Sequence, residues 1–275
     1  MEPFILKNAE FFLIKEWMER FPDLVAGFTC KSGGVSEAHF STMNVGLHVN
    51  DSFEAVSQNR KHMADLLGFP LNSWIGAEQT HEASIVKVSK EHAGKGALLY
   101  EESFKRTDGF YSIDQGILLT LCFADCVPLY FCHEKSRAIG TAHAGWKGTV
   151  NGIAEEMVRL YQKEGIDEKE IHVIIGPSIC HNCYIVDEQV ISLVQNRLED
   201  LENKPYNHIK DNQYKLDLKQ VNKEILLKAG ILEENIQVSN LCTSCHEEHF
   251  FSHRRDKGKT GRMMSFIGWK EDLQV

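Results

Sequence analysis

One cysteine and two histidines follow or end apolar, strand-like segments of this 275-residue chain. Cys126 comes after GILLTLCFAD, His143 ends RAIGTAH, and His81 follows WIGAEQT. In layered α/β proteins, binding and catalytic groups gather where strands end. Cys126 and His143 could therefore be a nucleophile with its base, or two ligands of one metal ion.

His81 would complete a set of three metal ligands. Three protein ligands with a water molecule in the fourth position are typical of an open catalytic zinc site. Such a site lowers the pKa of the bound water to about 7 and provides hydroxide at neutral pH. The competing interpretation is that Cys126 is a small buried residue and that each histidine is a hydrogen-bonded core side chain.

Two carboxylates stand close to these residues in the sequence. Asp125 interrupts an apolar run, and because burying an unpaired charge is costly, we expect it to have a partner. That partner is either a ligand histidine, with Asp125 then helping catalysis, or backbone amides at the strand end. Asp108, in TDGFYS, is expected to form a turn rather than take part in catalysis.

A second dense cluster lies in the C-terminal segment CTSCHEEHFFSHRRDKGKTGRMMSF. Its residues with metal-ligand side chains are Cys242, Cys245, His246 and His249. Cys180 and Cys183 could supply a second C-x2-C pair. However, 62 positions separate Cys183 from Cys245, much more than in a zinc ribbon, so the sequence favours simple buried or surface thiols.

The same C-terminal segment holds the clearest candidate for anion binding. Arg254 and Arg255 stand near Lys257 and Lys259, and the guanidinium fork binds phosphate with two hydrogen bonds. The alternative is a solvated loop. Lys31, in CKSGGVSE, is a weaker candidate of the same kind, and a plain turn is favoured there.

Composition excludes several classes of protein. With 43% apolar residues and a net charge of −9, the chain reads as a globular protein that binds neither nucleic acid nor an anionic membrane. Its longest apolar run, Gly116–Cys132, contains Asp125 and is shorter than the roughly 20 residues of a membrane span, so a buried strand pair is expected. The N-terminus does not resemble a signal peptide, which favours the cytoplasm and reduced thiols.

The elements that must position these residues alternate along the chain. Periodicity and caps predict a helix from Asp51 to Gly68, through Val56, Met63 and Leu66. Three further helices are predicted, at Trp146–Leu160, Asp187–Leu201 and Leu216–Ala229. Strands are predicted at Ile85–Val88, Phe110–Ile113, Ile117–Phe123, Val127–Cys132, Ala138–His143, Ile171–Gly176, Ile236–Ser239 and Met263–Ile267. The segment Leu198–Lys215 is predicted to be a surface connection, and the whole chain, residues 1–275, one α/β or α+β domain.

The order of the motifs resembles the YfiH/YlmD-like family, nearly from end to end. The matching segments are KSGGVSEAHFSTMNVGLHVND, QTH, TDGFYS, FADCVPLYF, AHAGWKGTV, GPSIC and FFSHRRDKGKTGRM. Members have been labelled multicopper polyphenol oxidoreductases, or laccase-like proteins, and also purine nucleoside phosphorylases.

This resemblance implies a fold, a ligand set and an activity. The fold is a four-layer α-β-β-α sandwich similar to the catalytic domain of cytotoxic necrotizing factor. The family's zinc ligands fall on His81, Cys126 and His143. The implied activity is phosphorolysis of adenosine, inosine, guanosine and methylthioadenosine, with hydrolytic deamination of adenosine as a second reaction. Copper-dependent phenol oxidation is the older assignment, and copper is a possible occupant of the site.

The activity that the resemblance implies suggests roles for the remaining candidates, which we choose by their chemistry. Arg254 or Arg255 would hold phosphate, and Asn44 and His48, in MNVGLHVND, would contact ribose or phosphate. Asp125 would carry a proton during deamination. The chain departs from the family pattern in two respects, which are lysines where arginine is common (Lys31 and Lys147) and additional ligand-type residues (Cys183, Cys245 and His246).

Two alternatives remain open at this point. A metal-free cysteine hydrolase would use Cys126 as nucleophile and His143 as base. A redox or metal-buffering protein would use the two C-x2-C pairs. Multicopper oxygen chemistry ranks below these, because one cysteine and two histidines are a poor ligand set for it and the sequence has no His-x-His pair.

Overall fold

Two six-stranded sheets pack face to face in the computed structural model, which describes residues 1–199, 201 and 203–271. The first sheet has the spatial order β1 (Phe4–Leu6), β2 (Phe11–Ile14), β3 (Leu24–Thr29), β15 (Met263–Trp269), β7 (Leu118–Phe123) and β4 (Trp74–Ile75). The second has the order β14 (Ile236–Val238), β10 (His172–Ile175), β8 (Val127–His133), β9 (Ala138–Ala144), β6 (Gly109–Ser112) and β5 (Ile85–Lys87). A small third sheet contains β11 (Ile185–Val186), β13 (Gln213–Leu216) and β12 (Tyr206–Lys210).

Helices cover the outer faces of both large sheets. The exception is α1 (Lys15–Arg20), whose Trp17 packs into the core between the sheets. The covering helices are α2 (Phe53–Leu67), α3 (Trp146–Val150), α4 (Ile153–Lys163), α5 (Glu188–Leu198) and α6 (Leu218–Lys228). Helix α2 packs on the first sheet through Met63 and Leu67, whereas α4, α5 and α6 pack on the second. The order helix, sheet, sheet, helix confirms the four-layer α-β-β-α sandwich.

The four-layer arrangement explains why the central strands are apolar on both faces. In β15, Met264 and Phe266 face helix α2, while Met263 and Ile267 face the second sheet. Successive side chains of a strand point to opposite faces, and here each face is covered. The two sheets are also joined by buried hydrogen bonds, from Tyr130 Oη to the Gly27 carbonyl (2.7 Å) and between Thr141 Oγ1 and Ser265 Oγ (3.0 Å).

Several predicted elements are corrected by the structure. The helix predicted at Trp146–Leu160 is two helices, because Gly152 has φ +83° and interrupts it. The Asp51–Gly68 helix is capped by Ser52, whose Oγ accepts from Ala55 N, and Leu66 is exposed rather than buried. The Leu198–Lys215 segment is not simply a connection, since it contains β12 and most of β13.

The apolar run Gly116–Cys132 is also arranged differently from the prediction. Its two strands, β7 and β8, are buried but do not pair with each other, because they belong to different sheets. The chain passes from one sheet to the other between them. In the described residues, no helix combines the length and the apolar character that crossing a membrane requires.

Candidate metal and substrate site

Cys126 lies in the segment 124–126, which carries the chain from β7 in the first sheet to β8 in the second. The preceding residue, Asp125, has φ +90°, a conformation that costs energy for a residue other than glycine. Three donors hold the Asp125 carboxylate in place: Thr243 Oγ1 (2.6 Å), Ser252 Oγ (3.0 Å) and Arg254 N (2.7 Å). These bonds fix the crossover that presents the Cys126 thiol.

Of the two partners considered for Asp125, the structure shows the backbone alternative, supplemented by hydroxyl groups. Its carboxylate binds two hydroxyls and one backbone amide of the C-terminal segment, not a ligand histidine. Those bonds satisfy the carboxylate of a residue that is 7% exposed. Asp125 therefore anchors the crossover segment 124–126 to the C-terminal segment.

Asp108 is the carboxylate that contacts a histidine of the cluster. It precedes β6, which pairs with β9, and its Oδ1 lies 2.8 Å from His143 Nδ1. Burial opposes ionisation of Asp108, but the hydrogen bond and charge of His143, with the backbone amides of His81 and Glu82, hold its pKa below its usual value. Asp108 thus contacts a histidine of the cluster, which the turn role favoured by the sequence did not include.

The same carboxylate positions His81. Asp108 accepts hydrogen bonds from the backbone N–H groups of Thr80 (3.2 Å), His81 (3.0 Å) and Glu82 (2.8 Å). His81 has φ +64° and lies in a loop, since β4 ends at Ile75, so it does not stand at a strand end as the sequence suggested. One buried side chain thus orients one histidine ring and holds the loop that carries the other.

His81, Cys126 and His143 converge on one point. One ligand atom from each lies within 4.8 Å of the others, and the two imidazole ring centroids are 4.7 Å apart. Burial opposes ionisation of Cys126, but the charge and hydrogen bonding of His143, with a hydrogen bond from His81, lower its pKa to about 6. Burial likewise opposes protonation of His143, but the Cys126 charge and Asp108 raise its pKa to about 9.

The geometry and chemistry of this cluster fit a metal ion. Asp108 engages Nδ1 of His143, which leaves Nε2 to face Cys126, and a histidine ligand ordinarily has its second nitrogen held in this way. Thiolate is the form of cysteine that binds metals, and the low pKa of Cys126 favours it. One thiolate and two imidazoles are ligands that suit zinc.

Gly145, in the turn after β9, leaves the space that the cluster occupies. A Cβ at this position would lie 3.0 Å from Cys126 Sγ and 3.1 Å from His81 Cδ2. Its φ of −65° is one that alanine adopts freely. We therefore expect Gly145→Ala to displace the two ligand-type side chains and to weaken the binding of a metal ion, tested with zinc, about tenfold, while the unfolding temperature of the metal-free protein stays near that of the wild type. Competition with a chromophoric chelator measures the affinity, and unchanged zinc binding would contradict the proposed ligand positions.

The cluster opens into a cavity of about 380 Å³. Besides the three cluster residues and Asp125, its wall contains His48, Gln79, Cys122, Ala124, Trp146, Ile179, Tyr184, His253, Arg254 and Arg262. A purine nucleoside is within the size range of ligands that such cavities hold.

Two arginines give this cavity a cationic side. Arg254 donates from Nη1 to the Ile185 carbonyl, and its guanidinium lies 5.1 Å from the Tyr184 ring centroid. Arg262 donates from Nη1 to the carbonyls of Thr260 and Gly261. A guanidinium has five N–H donors, so these backbone contacts leave each arginine able to bind an anion.

Arg255 does not reach this cavity, which corrects its predicted role. Its guanidinium binds Asp256 and the carbonyls of Thr243, Ser244 and Phe250. The side chain turns to a separate surface depression, which it lines together with Lys31, Lys257 and Lys259. Adjacent residues of an irregular loop can point in opposite directions, and only Arg254 of the pair faces the cluster.

Asn44 and His48, predicted together, are separated by the structure. Asn44 is fully buried, donates to Asp51 and accepts from the backbone of Gly46 and Arg262, so it orders the loop and does not line the cavity. His48 does line it. Surrounding protein and the positive charges of Arg262 and Arg60 lower the pKa of His48 to about 4, which keeps its ring neutral at pH 7.

Comparison with known proteins identifies the family. Residues 25–270 match the model of a family described as multi-copper polyphenol oxidoreductase laccase, and the match covers most of the chain. The chain belongs to this family. Its YfiH/YlmD-like members include the purine nucleoside phosphorylase YlmD of Bacillus subtilis, 45% identical over 273 residues that cover 98% of both chains.

Solved structures of the family share the fold. The crystal structure of YlmD from Geobacillus stearothermophilus superposes with a TM-score of 0.95 and is 43% identical, covering 98% of this chain and all of the other. A hypothetical protein YfiH of Bacillus licheniformis gives a TM-score of 0.94 at 47% identity, with the same coverage. The family description mentions copper, whereas the names of the curated relatives mention phosphorolysis.

Sequence reasoning missed Arg262 and undervalued Asp108. Arg262 stands in the family segment FFSHRRDKGKTGRM, one residue before β15, and a cation directly before a buried strand was an available signal. Asp108 directly precedes β6, and its contact with His143 depends on the pairing of β6 with β9, which spacing alone does not reveal.

Proposed function

We propose that this protein is a purine nucleoside phosphorylase that uses zinc held by His81, Cys126 and His143. Its substrates would be adenosine, inosine, guanosine or methylthioadenosine, together with phosphate. The observation that carries the proposal is that one cavity joins the three-ligand cluster to the guanidinium groups of Arg254 and Arg262. The phosphorylase names of relatives that match 90–98% of the chain support the same assignment.

Phosphate would bind at the arginine side. Arg254 and Arg262 approach the cavity from different parts of the C-terminal segment and contact backbone carbonyls, so their charge is not cancelled by those partners. Charge-assisted hydrogen bonds from guanidinium groups are the strong and directional contacts that phosphate requires. Neutral His48 could donate or accept one further hydrogen bond there.

The nucleoside would occupy the space between the arginines and the cluster. Trp146, at the start of α3, lines this space, as do Ile179 and Tyr184. Because the face of Tyr184 lies against Arg254, Trp146 is the aromatic ring that we propose as the stacking surface for the base.

In phosphorolysis, a phosphate oxygen forms a bond to ribose C1′ as the bond from C1′ to purine N9 breaks. The electron pair of that bond leaves with the purine, and positive charge develops on the sugar ring. Arg254 and Arg262 would hold the phosphate in line, and this positioning supplies much of the rate enhancement. His81, Cys126 and His143 would hold zinc, which supplies Lewis acidity at the other end of the cavity. Asp108 would keep both histidines in place.

The proposal extends to deamination of adenosine. In that reaction a water oxygen replaces the amino nitrogen on the purine, and ammonia leaves. Asp125 is not our choice to move the proton, because Thr243, Ser252 and Arg254 N already occupy its oxygen atoms.

Product analysis tests the proposed function directly. Zinc-loaded protein is incubated with adenosine, with and without phosphate, and the products are separated by chromatography. Adenine and ribose phosphate that form only with phosphate would support phosphorolysis. Inosine in both buffers would indicate deamination, and the absence of any product would refute the proposed activity.

Arg262 gives a specific prediction for the phosphate side. Arg262→Met keeps much of the side-chain length but removes the charge, so we expect the KM for phosphate to rise about 10- to 100-fold, from the loss of a contact worth about 1.5–3 kcal/mol. Steady-state kinetics at varied phosphate measures this. Lys257→Met, which removes a cation from an exposed position of the same segment, is the matched control and should leave KM unchanged.

A metal-free cysteine hydrolase is the second candidate function. It is favoured by one observation, the sequence of contacts from Cys126 to His143 and from His143 Nδ1 to Asp108 Oδ1 at 2.8 Å. A thiolate, an imidazole and an orienting carboxylate form a nucleophilic triad. Zinc and an acyl-type substrate would compete for the same thiol, which makes the two candidates distinguishable.

A further inference from the structure

Four cysteines form a second cluster outside the cavity. One sulfur from each of Cys180, Cys183, Cys242 and Cys245 lies within 4.8 Å of the others. The first pair follows β10 and the second follows β14, and these neighbouring parallel strands bring the two C-x2-C segments together. The long separation in sequence, which argued against a shared site, is therefore bridged by the sheet.

The spacing of the sulfur atoms is that of a metal site. In a tetrahedral zinc site with bonds of 2.3 Å, neighbouring sulfurs are about 3.8 Å apart. Here Cys245 Sγ lies 3.9 Å from Cys180 Sγ and 3.4 Å from Cys183 Sγ. A disulfide would need about 2.05 Å, and all four thiols are free.

The backbone around the sulfurs supports the same interpretation. The N–H groups of Cys180 (3.2 Å) and Cys245 (3.4 Å) both donate to Cys242 Sγ. Each C-x2-C segment turns back on itself, with Cys183 N donating to the Cys180 carbonyl and His246 N donating to the Cys242 carbonyl. Donors aimed at sulfur stabilise the charge of a thiolate ligand.

His246, which the sequence also offered as a metal ligand, contacts the backbone instead of joining the sulfur cluster. His246 Nδ1 lies 3.1 Å from both the backbone nitrogen and the backbone oxygen of Cys242. In the described residues it does not belong to the sulfur cluster. The cluster is thus a set of four sulfur ligands, as in closed structural zinc sites, rather than a mixed site with a place for substrate.

We propose that Cys180, Cys183, Cys242 and Cys245 bind a structural zinc ion, separate from the metal at His81, Cys126 and His143. This site would join two segments that build the cavity wall. Ile179 and Tyr184 flank the first cysteine pair and line the cavity, and Thr243, inside the second pair, binds Asp125 beside Cys126. The ion would therefore brace the wall without contacting substrate.

Metal stoichiometry tests the proposal independently of activity. Protein purified under reducing conditions with zinc is analysed by elemental and native mass spectrometry. We expect two zinc ions per chain in the wild type, one in Cys126→Ala and one in Cys245→Ser. His181→Ala, which changes one of the two residues between Cys180 and Cys183 but keeps all four thiols, is the matched control and should retain two zinc ions.

X-ray absorption on Cys126→Ala identifies the ligands of the remaining ion. Four sulfur neighbours at about 2.3 Å would support the proposal. A wild-type protein with one zinc ion that Cys126→Ala abolishes would overturn it, as would a disulfide among the four cysteines in reduced protein. Because Cys245 is exposed, Cys245→Ser is expected to fold, and a variant that retained both ions would also overturn the proposal.

Discussion

Replacement of Cys126 by alanine is expected to remove zinc from the His81 cluster and to lower kcat/KM for phosphorolysis about a thousandfold or more. Cys126 is the only anionic ligand of the proposed set, and two imidazoles alone hold zinc poorly. The loss would also remove the electrostatic contribution at that end of the cavity, which is commonly worth several kcal/mol in a transition state. Zinc content and steady-state kinetics measure the two effects together.

Cys132→Ala provides the comparison for this variant. Cys132 is a fully buried thiol six positions further along, in β8, and belongs to the core between the sheets. Its replacement removes a sulfur from the strand that follows Cys126, at a distance from the cluster, so zinc content and kcat/KM should stay close to those of the wild type. A fully active Cys126→Ala protein would refute the proposed role of the cluster.

Alkylation distinguishes a zinc ligand from a nucleophile. In the metal-free protein the pKa of Cys126 is about 6, so the thiolate persists as the pH falls from 8 to about 6 and is lost below that value. Iodoacetamide should therefore modify Cys126 rapidly at pH 7, as peptide mass spectrometry would report, and zinc should protect it. Alkylation that zinc does not change would favour the cysteine hydrolase instead.

The second large effect is expected at Asp108. Asp108→Asn keeps the size of the side chain, but its amide nitrogen would face backbone N–H groups that now donate to a carboxylate. The amide keeps only one acceptor oxygen. If its nitrogen replaces Oδ2, the backbone N–H groups of Thr80 and Glu82 lose their acceptor. If it replaces Oδ1, the His81 N–H group and the His143 ring lose theirs. We expect zinc affinity to fall about 10- to 100-fold, with a parallel loss of kcat/KM.

Asp114→Asn is the control at the other end of β6. Asp114 accepts a hydrogen bond from the backbone of Lys90 at the surface, so the same chemical change there should leave zinc affinity and rate unaltered. Excess zinc distinguishes a positioning role of Asp108 from a direct role in the reaction. If Asp108 only positions the zinc ligands, excess zinc should restore much of the rate of Asp108→Asn. Zinc binding equal to that of the wild type would show that Asp108 does not position the ligands.

The parts of the site that the sequence predicted are those with local signals. Cys126 and His143 follow or end strongly apolar strands, and both lie at the cluster that the structure assembles. Asp108 was undervalued because its partner is 35 positions away and is reached only through strand pairing. Arg255 was not separated from Arg254, because loop direction leaves no periodic pattern in a sequence.

In the fold, too, the elements with local sequence signals were predicted and those without such signals were missed. All six strands of the second sheet, and β7 and β15 of the first, were predicted within a few residues, since covered sheets need apolar strands. The N-terminal strands β1, β2 and β3 of the first sheet were not predicted. The β12–β13 hairpin was missed because most of its residues are exposed and polar. The break between α3 and α4 was missed because an apolar face continues across Gly152, whose left-handed conformation cannot be read from periodicity.

The buried hydrogen bond between the Thr141 and Ser265 hydroxyls links the strands that lead to the two ends of the cavity. Thr141 is two residues before His143 in the second sheet, and Ser265 is three residues after Arg262 in the first. The distance between the metal end and the arginine end is thus set by how the two sheets sit on each other. Sliding one sheet over the other would change the distance between the phosphate position proposed at the arginines and the ligand cluster. The packing of the two sheets in the core therefore sets that distance.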